Sequence, residues 1–245
     1  MSKPLEFHCI TYDTKTLHPG YYSDIYFFKD VSENASSVTD NDEAKIVKWF
    51  FENRDCRELL FKELYIKNYQ YKLTTKTCEI SNYKGKPGDL DIILFDKNRP
   101  QESIEIEVKK IKAEIEESGR IIFDGGGDMT EKFCIGVNQA NGVCENIGFY
   151  NSYLLIFIEV DGRLMKKNNF FHRGLNNYRE LYSFPYKEQL SPDIGIIFVE
   201  LIQPIDADKN MSVETCICVP KIANSYYQNI DLTAKLVNYF NRTTV

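Results

Sequence analysis

Asp91, Glu107 and Lys109 sit in two neighbouring apolar stretches, "GDLDIILFD" and "SIEIEVKK", separated by the polar, Pro-containing turn "KNRPQE". Alternate side chains of a strand share a face, so Glu105, Glu107 and Lys109 point one way while Ile104, Ile106 and Val108 point the other. Asp89 and Asp91 share a face on the preceding strand, and an antiparallel hairpin of this length can set Asp91 opposite Glu107. Two carboxylates and one ammonium then converge. Carboxylates a few ångströms apart repel and raise a pKa unless a cation sits between them, and hard divalent ions such as Mg²⁺ or Mn²⁺ favour such an oxygen-rich, incompletely filled shell. A lysine beside the ion can orient or help deprotonate an attacking water and neutralise charge building on phosphorus. The chemistry this arrangement implies is phosphodiester hydrolysis.

Those residues need elements to position them. Two strand-like runs, "FHCITY" and "DIYFFKDV", precede a polar loop, "SENASSVTDND", that ends in helix-capping residues. From Glu43 the spacing predicts one helix over 43–66, with Ile46, Phe50, Arg57, Phe61 and Leu64 on one side. Glu43 and Glu58 fall on or beside that inward side, and Glu63 falls opposite. "KLTTKTCEI", "LDIILFD" and "SIEIEVKK" read as three successive strands, a β-meander. "DGGGD" reads as a hinge, with Asp128 capping a helix whose Phe133, Val137, Ala140, Cys144 and Ile147 recur on one side. Gly136 and Gly142 each cost that helix about 1 kcal/mol relative to Ala, which predicts a break.

"YLLIFIEV" at 153–160 is apolar on both faces, as a central strand of a covered sheet should be. The remainder predicts a short helix near "LNNYRELY", strands at "IGIIFVEL" and "VETCICV", and a last helix capped by Asp231. The expected fold is a single α/β domain over 1–245, a mixed central sheet flanked by helices.

Composition narrows the partners. With 30 Lys and Arg against 36 Asp and Glu, the net charge of −6 removes the overall basic balance of a simple nucleic-acid binder, so any polyanion must meet a local patch. The seven cysteines form no CxxC pair and no charged-then-apolar leader opens the sequence, which reads as reduced, mostly buried thiols in a cytoplasmic protein. The longest apolar run falls far short of the roughly 20 residues needed to cross a bilayer. His8, His18 and His172 offer no pair at metal-ligand spacing, against a zinc or HNH-type centre.

The order helix, three-strand meander, helix, strand, with "GDLDII" on the second strand and "IEVK" on the third, resembles the PD-(D/E)XK nuclease superfamily. The resemblance covers roughly 43–160, leaving 1–42 as an N-terminal addition and 161–245 as a C-terminal elaboration of a restriction endonuclease-like core (α-β-β-β-α-β). It implies that Asp91 fills the aspartate position and Glu107 and Lys109 fill E-x-K. Asp91, Glu107 and the Val108 carbonyl would ligate Mg²⁺ or Mn²⁺, and Lys109 would serve the nucleophilic water. An acid on the first helix often joins such sites; Glu43 and Glu58 are the candidates, with Glu58 preferred. Gln139 could fill the place of a Gln or Lys on the helix after E-x-K. The resemblance further implies DNA rather than RNA as substrate and a prokaryotic restriction, anti-phage or mobile-element setting.

Rival readings stand beside each of these. The hairpin could be the wet face of an edge ribbon, its Glu and Lys forming cross-strand pairs that contribute about 0.2–1 kcal/mol each. Glu43 and Glu58 could be surface carboxylates supporting a helix. A nuclease-fold subunit that binds a protein partner or nucleic acid without cutting, within a larger complex, would suit the net negative charge; a homo-oligomer is compatible with either role. The basic and aromatic stretch 163–179 could track a phosphate backbone or be a solvated loop.

Overall fold

A computed structural model describes residues 8–13, 41–81, 89–115, 121–123, 127–160, 186–202 and 212–242. Its centre is an eight-stranded mixed sheet. The strands are β1 (His8–Asp13), β2 (Gln70–Lys76), β3 (Asp89–Phe95), β4 (Ile104–Ile115), β5 (Ile121–Phe123), β6 (Asn151–Val160), β7 (Gly195–Ile202) and β8 (Ser212–Lys221). Their spatial order is β1-β8-β7-β6-β4-β3-β2, with β5 pairing the far end of β4. The meander β2-β3-β4 is antiparallel, and β6 lies parallel to both β4 and β7. Residues 153–158 of β6 are all buried, because helices cover both faces of the sheet there.

The helices are α1 (Asn41–Glu52), α2 (Arg54–Glu63), the short α3 (Thr77–Ile80), α4 (Gly127–Asn146) and α5 (Ile230–Arg242). The single helix expected over 43–66 is therefore two. Asn53 causes the break: its side-chain oxygen accepts from the backbone N–H groups of Asp55 and Cys56 at 3.1 and 3.3 Å, capping a new helix and resetting the phase of everything after it. Arg57 donates to the Phe51 carbonyl left open at the end of α1 and lies over the Tyr71 ring. The first strand of the meander also stops early, at Lys76, where Thr77–Ile80 turn into α3.

Ile46, Phe50, Phe51, Cys56 and Leu60 of α1 and α2 pack on the sheet face formed by Ile92, Ile106, Val108, Leu155, Phe157 and Val199. The opposite face carries α4 and α5. Leu232, Leu236 and Phe240 of α5 join Ile93 and Phe95, with Phe240 stacked on Phe95 at 4.5 Å. Asn229, rather than Asp231, caps α5, accepting from the N–H groups of Asp231 and Leu232. α4 runs unbroken through Gly136 and Gly142, against the expectation of a break, and begins one residue before Asp128.

Among the described residues no helix is long and apolar enough to cross a membrane, and Cys56, Cys78, Cys134, Cys144 and Cys218 are free thiols, of which Cys56 and Cys218 are buried. The run "DIYFFKDV", the helix near "LNNYRELY", the stretch 163–179 and the glycines at 125 and 126 lie outside the described residues.

Candidate functional site

The site forms where β3 and β4 part. Their ladder pairs Leu94 with Ile104, Ile93 with Glu105 and Ile92 with Ile106; continuing that register sets Asp91 across from Glu107, one step beyond the last pair. Separated strands leave backbone N–H groups without ladder partners, and buried ones need replacements. Carboxylates supply them. Asp91 Oδ2 accepts from the Val108 N–H at 2.7 Å, and Glu43 Oε2, reaching in from the first turn of α1, accepts from the Lys110 N–H at 2.7 Å. Each acid is thus anchored through one oxygen, with its other oxygen left over.

β2 is irregular at the same level. Leu73 and Thr75 pair with Ile92 and Leu90, but Thr74, which lies across from Asp91, has φ +52°. A β-branched residue in the left-handed region is strained, by about 1–3 kcal/mol.

Lys109 reaches into the centre of the cluster. Its ammonium donates to Glu107 Oε1 at 2.7 Å and to the Val108 carbonyl at 2.6 Å, and Glu43 Oε1 lies 3.7 Å away. The rival reading of a wet ribbon face does not hold, since Glu105, Glu107 and Lys109 are 0%, 2% and 9% exposed under α4. Gly136 of α4 makes that cover possible: a Cβ there would come within 2.6 Å of Lys109 Cγ and 3.3 Å of its Cδ and Cε. The glycine that sequence reading counts against the helix is the point of closest approach between helix and lysine stem.

Burial and crowding set the electrostatics. Loss of water raises the Asp91 carboxyl to about 6, with Lys109 and the Val108 N–H pulling it down and Glu43 and Asp89 pushing it up. Loss of water, then repulsion from Asp91, raises Glu107 to about 8 against the pull of Lys109. Burial alone would lower Lys109, but Glu107, Glu43 and Asp91 together hold it above its ordinary value. Three acids around one ammonium leave an excess of negative charge, the electrostatic condition for taking up a further cation.

Glu58, the preferred first-helix acid in the sequence, does not join. The new cap at Asn53 turns it outward, where it pairs with Arg54 at 2.6 Å in the exposed i,i+4 arrangement. Glu43 takes the place instead. Gln139 is half-buried on α4, and its side-chain carbonyl oxygen is enclosed without a hydrogen-bond partner. Glu105 is given no role by the sequence, yet both of its oxygens are buried without a hydrogen bond. Burial, then the charges of Glu107 and Asp91, hold its carboxyl well above the usual range, and nearby Ser152 favours its charged form only weakly. Its position in the alternating row Glu105, Glu107, Lys109 was the available signal.

Whether a divalent ion fits can be judged from the donors. Glu107 Oε1 and the Val108 carbonyl converge on one point, both are hard oxygens, and Asp91 and Glu43 border them with one oxygen each to spare. Among the described residues no three His, Cys, Asp or Glu side chains form a ready-made metal cage. The residues that could hold an ion are Asp91, Glu107 and the Val108 carbonyl, two carboxylates and a carbonyl, a hard-oxygen set of the type Mg²⁺ favours when water completes the shell. No family model, curated protein or solved structure matches this chain, so the case for any function rests on these residues themselves.

Proposed function

We propose that the protein is a divalent-metal-dependent phosphodiesterase, a nuclease of the PD-(D/E)XK kind acting on DNA. The observation that carries this reading is the gathering of Asp91, Glu107, Lys109 and the Val108 carbonyl at the parting of two antiparallel strands, with the spare oxygen of Glu43 alongside. The element order supports it: α1–α2, then β2, β3 and β4, then α4, then β6 parallel to β4, with α3 and β5 as small insertions. The choice of DNA, and of a restriction, anti-phage or mobile-element setting, rests on the sequence resemblance.

Asp91, Glu107 and the Val108 carbonyl would hold Mg²⁺ or Mn²⁺, which supplies Lewis acidity toward a phosphoryl oxygen and a bound water of lowered pKa. Glu43 orients the middle of β4 through the Lys110 N–H. Lys109 places its ammonium beside the attacking water and the charge developing on phosphorus. α4 excludes bulk solvent from the other side.

The test is cleavage of labelled linear and branched DNA and of RNA, with Mg²⁺, with Mn²⁺ and with chelator. Metal-dependent products from the wild type, absent with Glu107→Gln, are expected; equal cleavage by both would remove these assignments. A non-cleaving subunit is the second reading, favoured by the near-complete burial of Glu107 and by the net charge of −6. It predicts nucleic-acid or protein binding indifferent to chelator and no products under any condition.

A further inference from the structure

The Lys109 ammonium occupies the place a divalent ion would need. It takes Glu107 Oε1 and the Val108 carbonyl at 2.7 and 2.6 Å, the two oxygens that converge, and so sits where an ion bridging them would sit. An ion bound between those oxygens at about 2.0–2.1 Å would lie almost on the ammonium, and the two cations repel strongly at such range. The lysine is also restrained behind. The backbone of α4 at Gly136 runs along three successive carbons of its stem, so the stem cannot shift toward the helix. Among the described residues the other acid within 4 Å of the ammonium is Glu43, whose Oε1 is 3.7 Å away and whose other oxygen is fixed to β4.

We propose that Lys109 is the internal cation of the metal-free site and gates metal entry: the ammonium must leave Glu107 and the Val108 carbonyl, moving toward Glu43, before a divalent ion can bind. This deepens the reading of the cluster as a metal site and rests on it. The consequence is a regulated centre. Metal uptake and delivery of Lys109 to its working position become one event, and the metal-free protein keeps its acids partly neutralised without an ion. Glu43 is then a positioning residue that receives the displaced ammonium.

The experiment is calorimetric titration of Mn²⁺ into the full chain and into Lys109→Met, which keeps the length of the stem. Charge-assisted hydrogen bonds contribute about 1.5–3 kcal/mol each, so their removal should tighten Mn²⁺ binding on the order of tenfold or more, at about 1.4 kcal/mol per tenfold. Equal or weaker binding by Lys109→Met overturns the gate and leaves the metal site standing. Absence of Mn²⁺ uptake by both chains overturns the gate together with the reading beneath it. A second measurement uses only the wild type, in case the variant fails to fold: acetylation of Lys109 by a soluble amine reagent, read by peptide mass spectrometry. Saturating Mn²⁺ should speed labelling severalfold as the ammonium is released, and unchanged protection at saturation overturns the proposal.

Discussion

The two ends of the β3–β4 hairpin solve the same problem in opposite ways. At the turn, Asp96 Oδ1 accepts from the Asn98 N–H at 2.9 Å and its other oxygen pairs with Arg99 at 3.3 Å, while Gln228 completes the closure: its Oε1 accepts from the Ser103 N–H at 3.0 Å, and its Nε2 donates to the Pro100 carbonyl and Thr233 Oγ1, both at 2.9 Å. At the far end, about 17 Å along β4 from Ser103 to Val108 at about 3.4 Å per residue, the open N–H groups of Val108 and Lys110 are met by Asp91 and Glu43. The turn's buried acid is matched by a half-exposed guanidinium, and a neutral amide meets the remaining donor. The far end's acids crowd round one buried ammonium and bring repulsion and desolvation, a cost to stability. The contrast separates an end whose charges are matched near solvent from one whose charges are buried and crowded.

Breaking the charged end should have the largest effect. Asp91→Asn or Glu107→Gln is expected to lower metal-dependent cleavage by roughly a thousandfold or more while circular dichroism stays native, since both replacements keep shape and remove a ligand charge. Glu43→Gln should cost about 10–100-fold, the usual effect of removing a group that orients ligands, whereas Glu58→Gln should leave the rate unchanged. The Glu58 result is the sharper one, because the side chain is exposed and paired only along its own helix. At the turn the pattern reverses: Gln228→Ala should lower unfolding stability by about 1–3 kcal/mol, through the Ser103 N–H it orphans, with cleavage at permissive temperature retained.

Acidity distinguishes the ends as well. Asp91 and Glu107 are raised to about 6 and about 8 in the folded chain, so the native state binds more protons than the unfolded one between their ordinary values and these. Their stabilising contribution is complete below their unfolded pKa values and is lost as pH rises through about 6 and then about 8. Metal-free protein should therefore show a falling Tm from about pH 5 to about pH 8, and Mn²⁺ should raise Tm more at the upper end, where the carboxylates are free to ligate. A Tm profile unaltered by Asp91→Asn together with Glu107→Gln would show that these groups do not set it. The smallest effect is at Thr74: replacement by Gly at φ +52° should relieve strain and stabilise by about 1 kcal/mol in denaturant titration.

Period-two alternation and one short turn were enough to place Asp91, Glu107 and Lys109 in a common neighbourhood, because a strand has a single phase and a hairpin a single crossing. Helical phase is more fragile. The side-chain cap at Asn53 ends α1 and starts α2, so the inward side extrapolated from Ile46 to Leu64 carried Glu58 to a wrong position while Glu43, before the break, held its own. Gly136 was illegible for another reason. Propensity counts only the cost of glycine to its own helix, and the compensating contact comes from a lysine 27 positions earlier on another element. Glu105 shares a face with Glu107 by simple alternation, but only the packing of α4 removes its water and its partners.

β6 lies parallel to β4 on one side and β7 on the other. Parallel neighbours cannot be reached through a tight turn, so this strand docks only after a long stretch of chain has been ordered, whereas the meander β2-β3-β4 closes through local contacts. The meander alone can bring Asp91, Glu107 and Lys109 together, but their water is excluded only by α4 and β6, elements that follow it in the chain. Dryness of the charged cluster is thus a property of the assembled sheet and not of the hairpin that carries it.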